Sequence, residues 1–275
     1  MREAIKLRLA AEISALEGRC YEPYELATPA DKPFVTIRMA EEAWDTPWTG
    51  IKRIFEVTAY SDTLTSVDML LDEAVRSLHR IRLSDGSGSF FTCLWEGTVQ
   101  AEGFDAEQQA VFRTIRFSVR AIRPQVDASI GQEPWLEATA AWTEGLVDPE
   151  WGVYRTYWPQ DYKPRSVLWR TKQVDVLDKG TATVEIRKKL IGHVIAPDEQ
   201  ERLLLLTQLS VTLARTSKLH IGSERSAEIS EIISDMRKYP FRCGQLSLTL
   251  SSRIAVSGST ELPIMAGIHA GANIF

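Results

Sequence analysis

Tyr60-Ser61-Asp62 stands where an apolar run, Ile54 to Tyr60, gives way to an amphipathic one. A serine at such a strand-to-helix turn is a position where hydrolases place a nucleophile and where phosphate-binding proteins cradle an anion. A nucleophile elbow needs glycine two residues before and two after the serine, because the turn is strained, and here Ala59 and Thr63 occupy those places. A phosphate cradle needs a glycine-rich turn whose backbone N–H groups converge on the ligand, and this turn contains no glycine. The residues instead suit a helix start, with Asp62, Thr65 or Ser66 accepting from free N–H groups.

Other groups with chemical potential are scattered. The cluster Asp85-Gly86-Ser87-Gly88-Ser89-Phe90 is followed by Phe91 where a dinucleotide fingerprint needs glycine, and no lysine follows as in a P-loop. His79, His193, His220 and His269 lie in separate segments without a second ligand at metal-binding spacing, so no metal or cofactor is expected. On this reading His79 and His193 are surface or partly packed residues. Glu41-Glu42 and Asp72-Glu73 are sequence neighbours and read as solvated charge rather than an acid–base pair. No catalytic residue is nominated, and an enzyme without a recognisable motif is the competing function class.

Aromatic residues are more concentrated. Trp44 and Trp48 bracket a proline-containing loop, and Trp151, Tyr154, Tyr157, Trp158 and Tyr162 crowd another around Pro159, interleaved with Arg155, Lys163 and Arg165. Loops this rich in apolar surface must pack on something, either their own sheet or a partner. Trp, Tyr and Arg are the residues that dominate interface energetics.

The elements that carry these residues come from a chain of 275 residues, 44% hydrophobic, which is enough for two ordinary domains. Its net charge of -5 offers no basic field to nucleic acid or an anionic membrane. Cys20, Cys93 and Cys243 are far apart, which suits reduced thiols. No apolar run approaches the roughly 20 residues that span a bilayer, and the periodic, charged start reads as a first helix rather than a signal peptide.

Periodicity gives a helix ending at Gly18, strands at 34–39 and 54–60, and a helix with Val67, Leu70, Leu71, Ala74, Val75 and Leu78 on one stripe. Two more strands follow. In the last, Val111, Ile115, Phe117, Val119 and Ala121 alternate with Arg116, Ser118 and Arg120, which predicts one core face and one wet face. After the polar stretch 125–132 the same order recurs. Matching Phe55 to Ile186, Phe117 to Leu248, Ile5 to Leu136 and Ile37 to Leu168 gives a shift of 131 residues each time. The expectation is an α/β (α+β) chain of two similar units, 1–124 and 133–256, each a mainly antiparallel sheet backed by helices, with a C-terminal arm at 257–275.

The segments "RIFEVTAYSDTLTSVDMLLDEAVRSLH" and "FRTIRFSVRAI", with the short first helix and Pro-rich loop before them, resemble the tail-terminator (tail-completion) family of long-tailed bacteriophages. The resemblance covers residues 1–124. It implies a structural virion protein of the tail neck, assembled in the host cytoplasm. Such a protein forms a homo-oligomeric ring that caps the tail tube protein, ends polymerisation and meets the head-tail connector, and it has no catalytic residues. This chain is about twice the family's usual length, so six chains would add a second layer, whereas three could supply six similar units. A head-to-tail connector or neck protein is the alternative.

If the ring reading holds, genomic DNA passes without tight binding, and Glu41, Glu42 and Asp45 beside Trp44 border the lumen or the tube-facing rim. Arg113, Arg116 and Arg120 are then expected at subunit or partner contacts. Trp48, Trp151, Tyr154, Arg155, Tyr157 and Trp158 complete the candidate interface, together with Phe275 of the arm.

Overall fold

The computed structural model describes residues 1–122, 133–179, 183–221 and 225–255. The arm at 257–275, Phe275 included, lies outside them, as does the linker 123–132.

Ile5 and Leu9, one helical turn apart, are buried on α1 (Arg2–Glu12), and Ile13 and Leu16 continue the same apolar line through a 3-10 turn. The chain leaves that turn through Glu17 and Gly18, both at positive φ, where glycine relieves the strain. Two residues, β1 (Cys20–Tyr21), pair in parallel with β2 (Phe34–Thr46), which turns back into β3 (Gly50–Ser61). The helix α2 (Leu64–Leu78) buries Val67, Leu70, Leu71, Ala74 and Leu78, the stripe expected from periodicity. Its cap is Thr63, whose hydroxyl accepts from the N–H of Ser66 at 3.3 Å, not Asp62, Thr65 or Ser66 as anticipated. Asp62 is paired instead with Lys32 at 2.5 Å. The strands β4 (Arg82–Ser84), β5 (Phe90–Asp105) and β6 (Ala110–Ile122) complete a sheet in the order β1-β2-β3-β6-β5-β4.

The second unit repeats this path. Pro134 occupies the first turn of α3 (Pro134–Glu144), and the Glu133 carboxylate accepts from the N–H of Leu136 at 2.9 Å. There follow β7 (Gly152–Arg155), β8 (Ser166–Lys179), β9 (Thr183–Ile195) and α4 (Glu199–Arg215), the last capped by Asp198. The closing strands are β10 (Lys218–Ile221), β11 (Arg225–Ser234) and β12 (Leu246–Ala255). The sheet order is β7-β8-β9-β12-β11-β10, the first sheet's connectivity strand for strand, with β7 again parallel to β8 and every other described pairing antiparallel. The fold is therefore α+β: two similar units, each a curled, mainly antiparallel sheet with helices packed on one face.

The shift between the units is not constant. Phe55 faces Phe117 across β3 and β6, and Leu190 faces Leu248 across β9 and β12. Phe117 to Leu248 keeps the expected 131, but Phe55 corresponds to Leu190, 135 residues on (190 less 55), and not to Ile186. The helix stripe agrees: Leu70, Leu71, Ala74 and Leu78 become Leu205, Leu206, Leu209 and Leu213, again 135 apart (205 less 70), and the caps Thr63 and Asp198 follow the same step. Ile37, in the first core, corresponds to Trp169 in the second rather than to Leu168, which points to the opposite face. A one-residue slip reverses the side of a sheet on which a residue lies. The Ile37–Val57 pair thus becomes Trp169–Gly192. The glycine makes room for the larger ring, since a Cβ would sit 3.0 Å from the indole.

Candidate interaction surfaces and the junction between the units

Each sheet has its helices on one face, so the opposite face decides what else the chain can do. In β6 the expectation of a wet outer face fails at its C-terminal end. Ser118 and Arg120 are as buried as Phe117 and Val119 on the core side. The cover is the second unit.

Leu94 and Ala121 from the first unit meet Trp158, Tyr162, Leu168, Ile195 and Phe241 from the second in a third apolar cluster, with Trp48 and Tyr154 at its border. The Trp48 indole N–H donates to the carbonyl of Phe241 at 2.7 Å, and the Trp48 carbonyl accepts from the N–H of Trp158 at 2.8 Å. The indole also lies beneath the guanidinium of Arg170, 3.7 Å from its ring centroid, a cation–π contact. Arg170 in turn donates through Nε to His193 Nε2 at 2.9 Å, while His193 Nδ1 meets the carbonyl of Pro240. His193 is fully buried, so its reading as a surface or partly packed residue is corrected. Burial, with a smaller contribution from Arg170, pushes its pKa down to about 4.

The aromatic residues expected to pack either on their own sheet or on a partner are thus divided by the fold. Trp158 is fully enclosed and Trp48 half-buried at the junction, so the apolar surface that demanded cover finds it within the chain. Tyr154 borders the same cluster, and its hydroxyl accepts from the N–H of Lys163 at 3.1 Å. Trp151 packs on the second unit's core. Arg155 is held by Glu137 at 3.0 Å and Glu144 at 2.6 Å, and Tyr157 is half-buried beside it in sequence.

The charged candidates are similarly sorted. Arg120 is buried between Asp45 and Glu96 and lies 5.5 Å from the Phe241 ring centroid. Arg116 donates to Glu56 at 2.9 Å and Arg113 to Asp68 at 2.5 Å. The three arginines therefore meet carboxylates of their own chain. Burial opposes ionisation of Glu56, but the guanidiniums of Arg116 and Arg38 outweigh it and hold its carboxyl below the usual range. Asp45 is withdrawn from the acidic group it was placed in, while Glu41 and Glu42 remain exposed and Glu42 pairs with Arg53. Trp44, 62% exposed, stands beside them on β2.

Part of the exposed apolar surface lies on the strand extensions, and the rest is spread over the helices and loops, as at Leu7, Met69, Leu204 and Val211. The parallel strand β1 covers β2 only at Val35 and Thr36, and β7 covers β8 only from Ser166 to Trp169. Beyond those points β2 and β8 run on as edges, carrying Met39 and Trp44 on one and Val174, Val176 and Leu177 on the other, all about half exposed or more. On the uncovered end of β5, Val99 and Phe104 are also exposed.

Where the units meet, a cleft of about 290 Å³ is lined by His79, Arg80, Trp95, Arg202 and Tyr239 among others. At the turn first considered, the Tyr60 ring stacks on Phe34 with centroids 4.6 Å apart, and Ser61 is buried. Among the described residues no three potential metal ligands gather in one place. Burial pushes the thiols of Cys20 and Cys93 up to about 12, which leaves them unreactive as nucleophiles. Comparison with protein-family models finds no match, and comparison with curated proteins finds no significant relative.

Proposed function

We propose that the chain is a structural virion protein that caps the phage tail tube as a ring, ends tube polymerisation and joins the tail to the head connector. The observation that carries the assembly role is the set of sheet extensions, β2, β5 and β8, that leave helix cover and present large apolar side chains at free strand edges. Contiguous exposed apolar surface on a soluble protein marks sites of association, and unpaired edges add backbone groups able to bind. The tail-terminator resemblance of residues 1–124 supplies the place of assembly. The charge of -5 and the exposed Glu41 and Glu42 suit a passage through which DNA slides, because each lysine or arginine that neutralised a phosphate would slow it.

The doubled unit suggests that three chains suffice to present six similar units, although six chains also close a ring. Sedimentation of the purified protein tests this. A discrete species of three or six times the 31.0 kDa chain is expected, and a monomer at every accessible concentration would reject the ring.

A further inference from the structure

The cleft where the units meet brings together cationic and aromatic side chains from both. On one wall α2 ends at His79, which forms a bridge to Cys93 on β5, and the next N–H, that of Arg80, donates to the Cys93 carbonyl at 2.7 Å. Arg80 is held at a positive φ of 61°, a conformation that residues with a Cβ adopt at a cost. Its guanidinium reaches across to the second unit and donates to the Pro197 carbonyl. Among the described residues no carboxylate pairs with it. His79 accepts through Nδ1 from the N–H of Trp95 at 2.9 Å. Burial, with Arg80 beside it, holds the His79 pKa below its usual value, so at neutral pH the ring is uncharged and carries its proton on Nε2.

The opposite wall belongs to the second unit. Glu199 and Arg202, three residues apart in the first turn of α4, pair with each other, and Tyr239 comes from the loop between β11 and β12. Glu199 thus neutralises one of the cleft's two guanidiniums and leaves that of Arg80 unmatched. Trp95 and Tyr239, 44% and 46% exposed, offer flat apolar faces from the two units. We propose that this cleft binds a small oxyanion carried on a flat apolar body, an aryl carboxylate or aryl phosphate being the type. Arg80 and the His79 Nε2–H hold the oxyanion, and Trp95 and Tyr239 flank the body. The planar fork of a guanidinium suits either oxyanion. A neutral ligand would shut the charge of Arg80 away from water without a counter-charge, which disfavours it. At about 290 Å³ the cleft is at the small end of ligand sites, which suits a single ring with one charged substituent. The site does not depend on the assembly role and leaves the exposed ends of β2, β5 and β8 free.

Isothermal titration calorimetry of the full-length chain at low salt tests this with benzoate, phenyl phosphate, inorganic phosphate and the neutral benzamide. The expected result is one site per chain for benzoate or phenyl phosphate, the tighter of the two identifying the oxyanion. Inorganic phosphate should bind at least about tenfold more weakly, and benzamide should show no saturable binding. Arg80→Gln should weaken binding about tenfold or more. Because Arg80 also bridges the units, its loss could act through the fold, and Glu199→Gln separates the two causes. That variant frees Arg202 for the ligand and should tighten binding severalfold, a gain that misfolding does not produce. No saturable binding of any probe, benzamide or inorganic phosphate binding as tightly as the aryl anions, or an affinity that Glu199→Gln leaves unchanged or lowers would each overturn the proposal.

Discussion

At the scale of single residues the account turns on two kinds of position. Thr63 and Asp198 are equivalent caps of equivalent helices. Replacing either by Ala should lower stability by about 1 kcal/mol in chemical denaturation, while Ser61→Ala, which removes no cap, should cost less. A larger loss at Ser61 than at Thr63 would mean that the turn has a role beyond starting the helix. His193 provides a pH signature. Its folded pKa of about 4 lies below the 6.5 of the unfolded chain, so the unfolded state takes up the proton first. The stability this residue supports is complete above pH 6.5 and is lost as the pH falls toward 4, by up to about 3 kcal/mol. The groups around it, Arg170, the Trp48 ring and the Pro240 carbonyl, include no carboxylate that would welcome the charge. Denaturation midpoints between pH 7 and 4 should show that slope in the wild type and a shallower one in His193→Gln. Parallel slopes would assign the acid sensitivity to other groups.

At the scale of elements, the stripes of α1 and α2 and the alternation along β6 were legible because each is a local pattern with a fixed period, and that pattern was enough for the repeated order of elements. The register was not legible. A uniform step of 131 placed Leu168 on the core side, but the Ile37–Val57 pair had been replaced by Trp169–Gly192, and bulges in β8 shift the alternation further. Such compensation across strands erases residue identity while keeping volume. The buried outer end of β6 was likewise invisible, since its charge pattern is that of a wet face and only the second unit's loops, distant in sequence, make it dry. The aromatic crowding around Pro159 signalled a contact but not which one. Phe241, which packs on Trp158 and Tyr162, sits among residues with no comparable signal. If that junction holds the two units as one body, Trp158→Ala should cost about 3–5 kcal/mol. Calorimetry should then show the single transition of the wild type separating into two. A single transition shifted by less than a degree would mean that the junction contributes little.

At the scale of the whole molecule, two units of the same connectivity are joined through an aromatic seam, and the free edges of β2 and β8 carry exposed apolar side chains. On the proposed reading such a molecule acts through those surfaces. The central claim is that those surfaces close a ring on the end of a tail tube, and electron microscopy of tail particles made with and without the chain tests it most directly. With the chain present, the account predicts tubes of uniform length bearing a ring of extra density at the head-proximal end. Without it, it predicts tubes of irregular, excess length that fail to join heads. Tails of normal length that join heads normally in its absence would contradict the account.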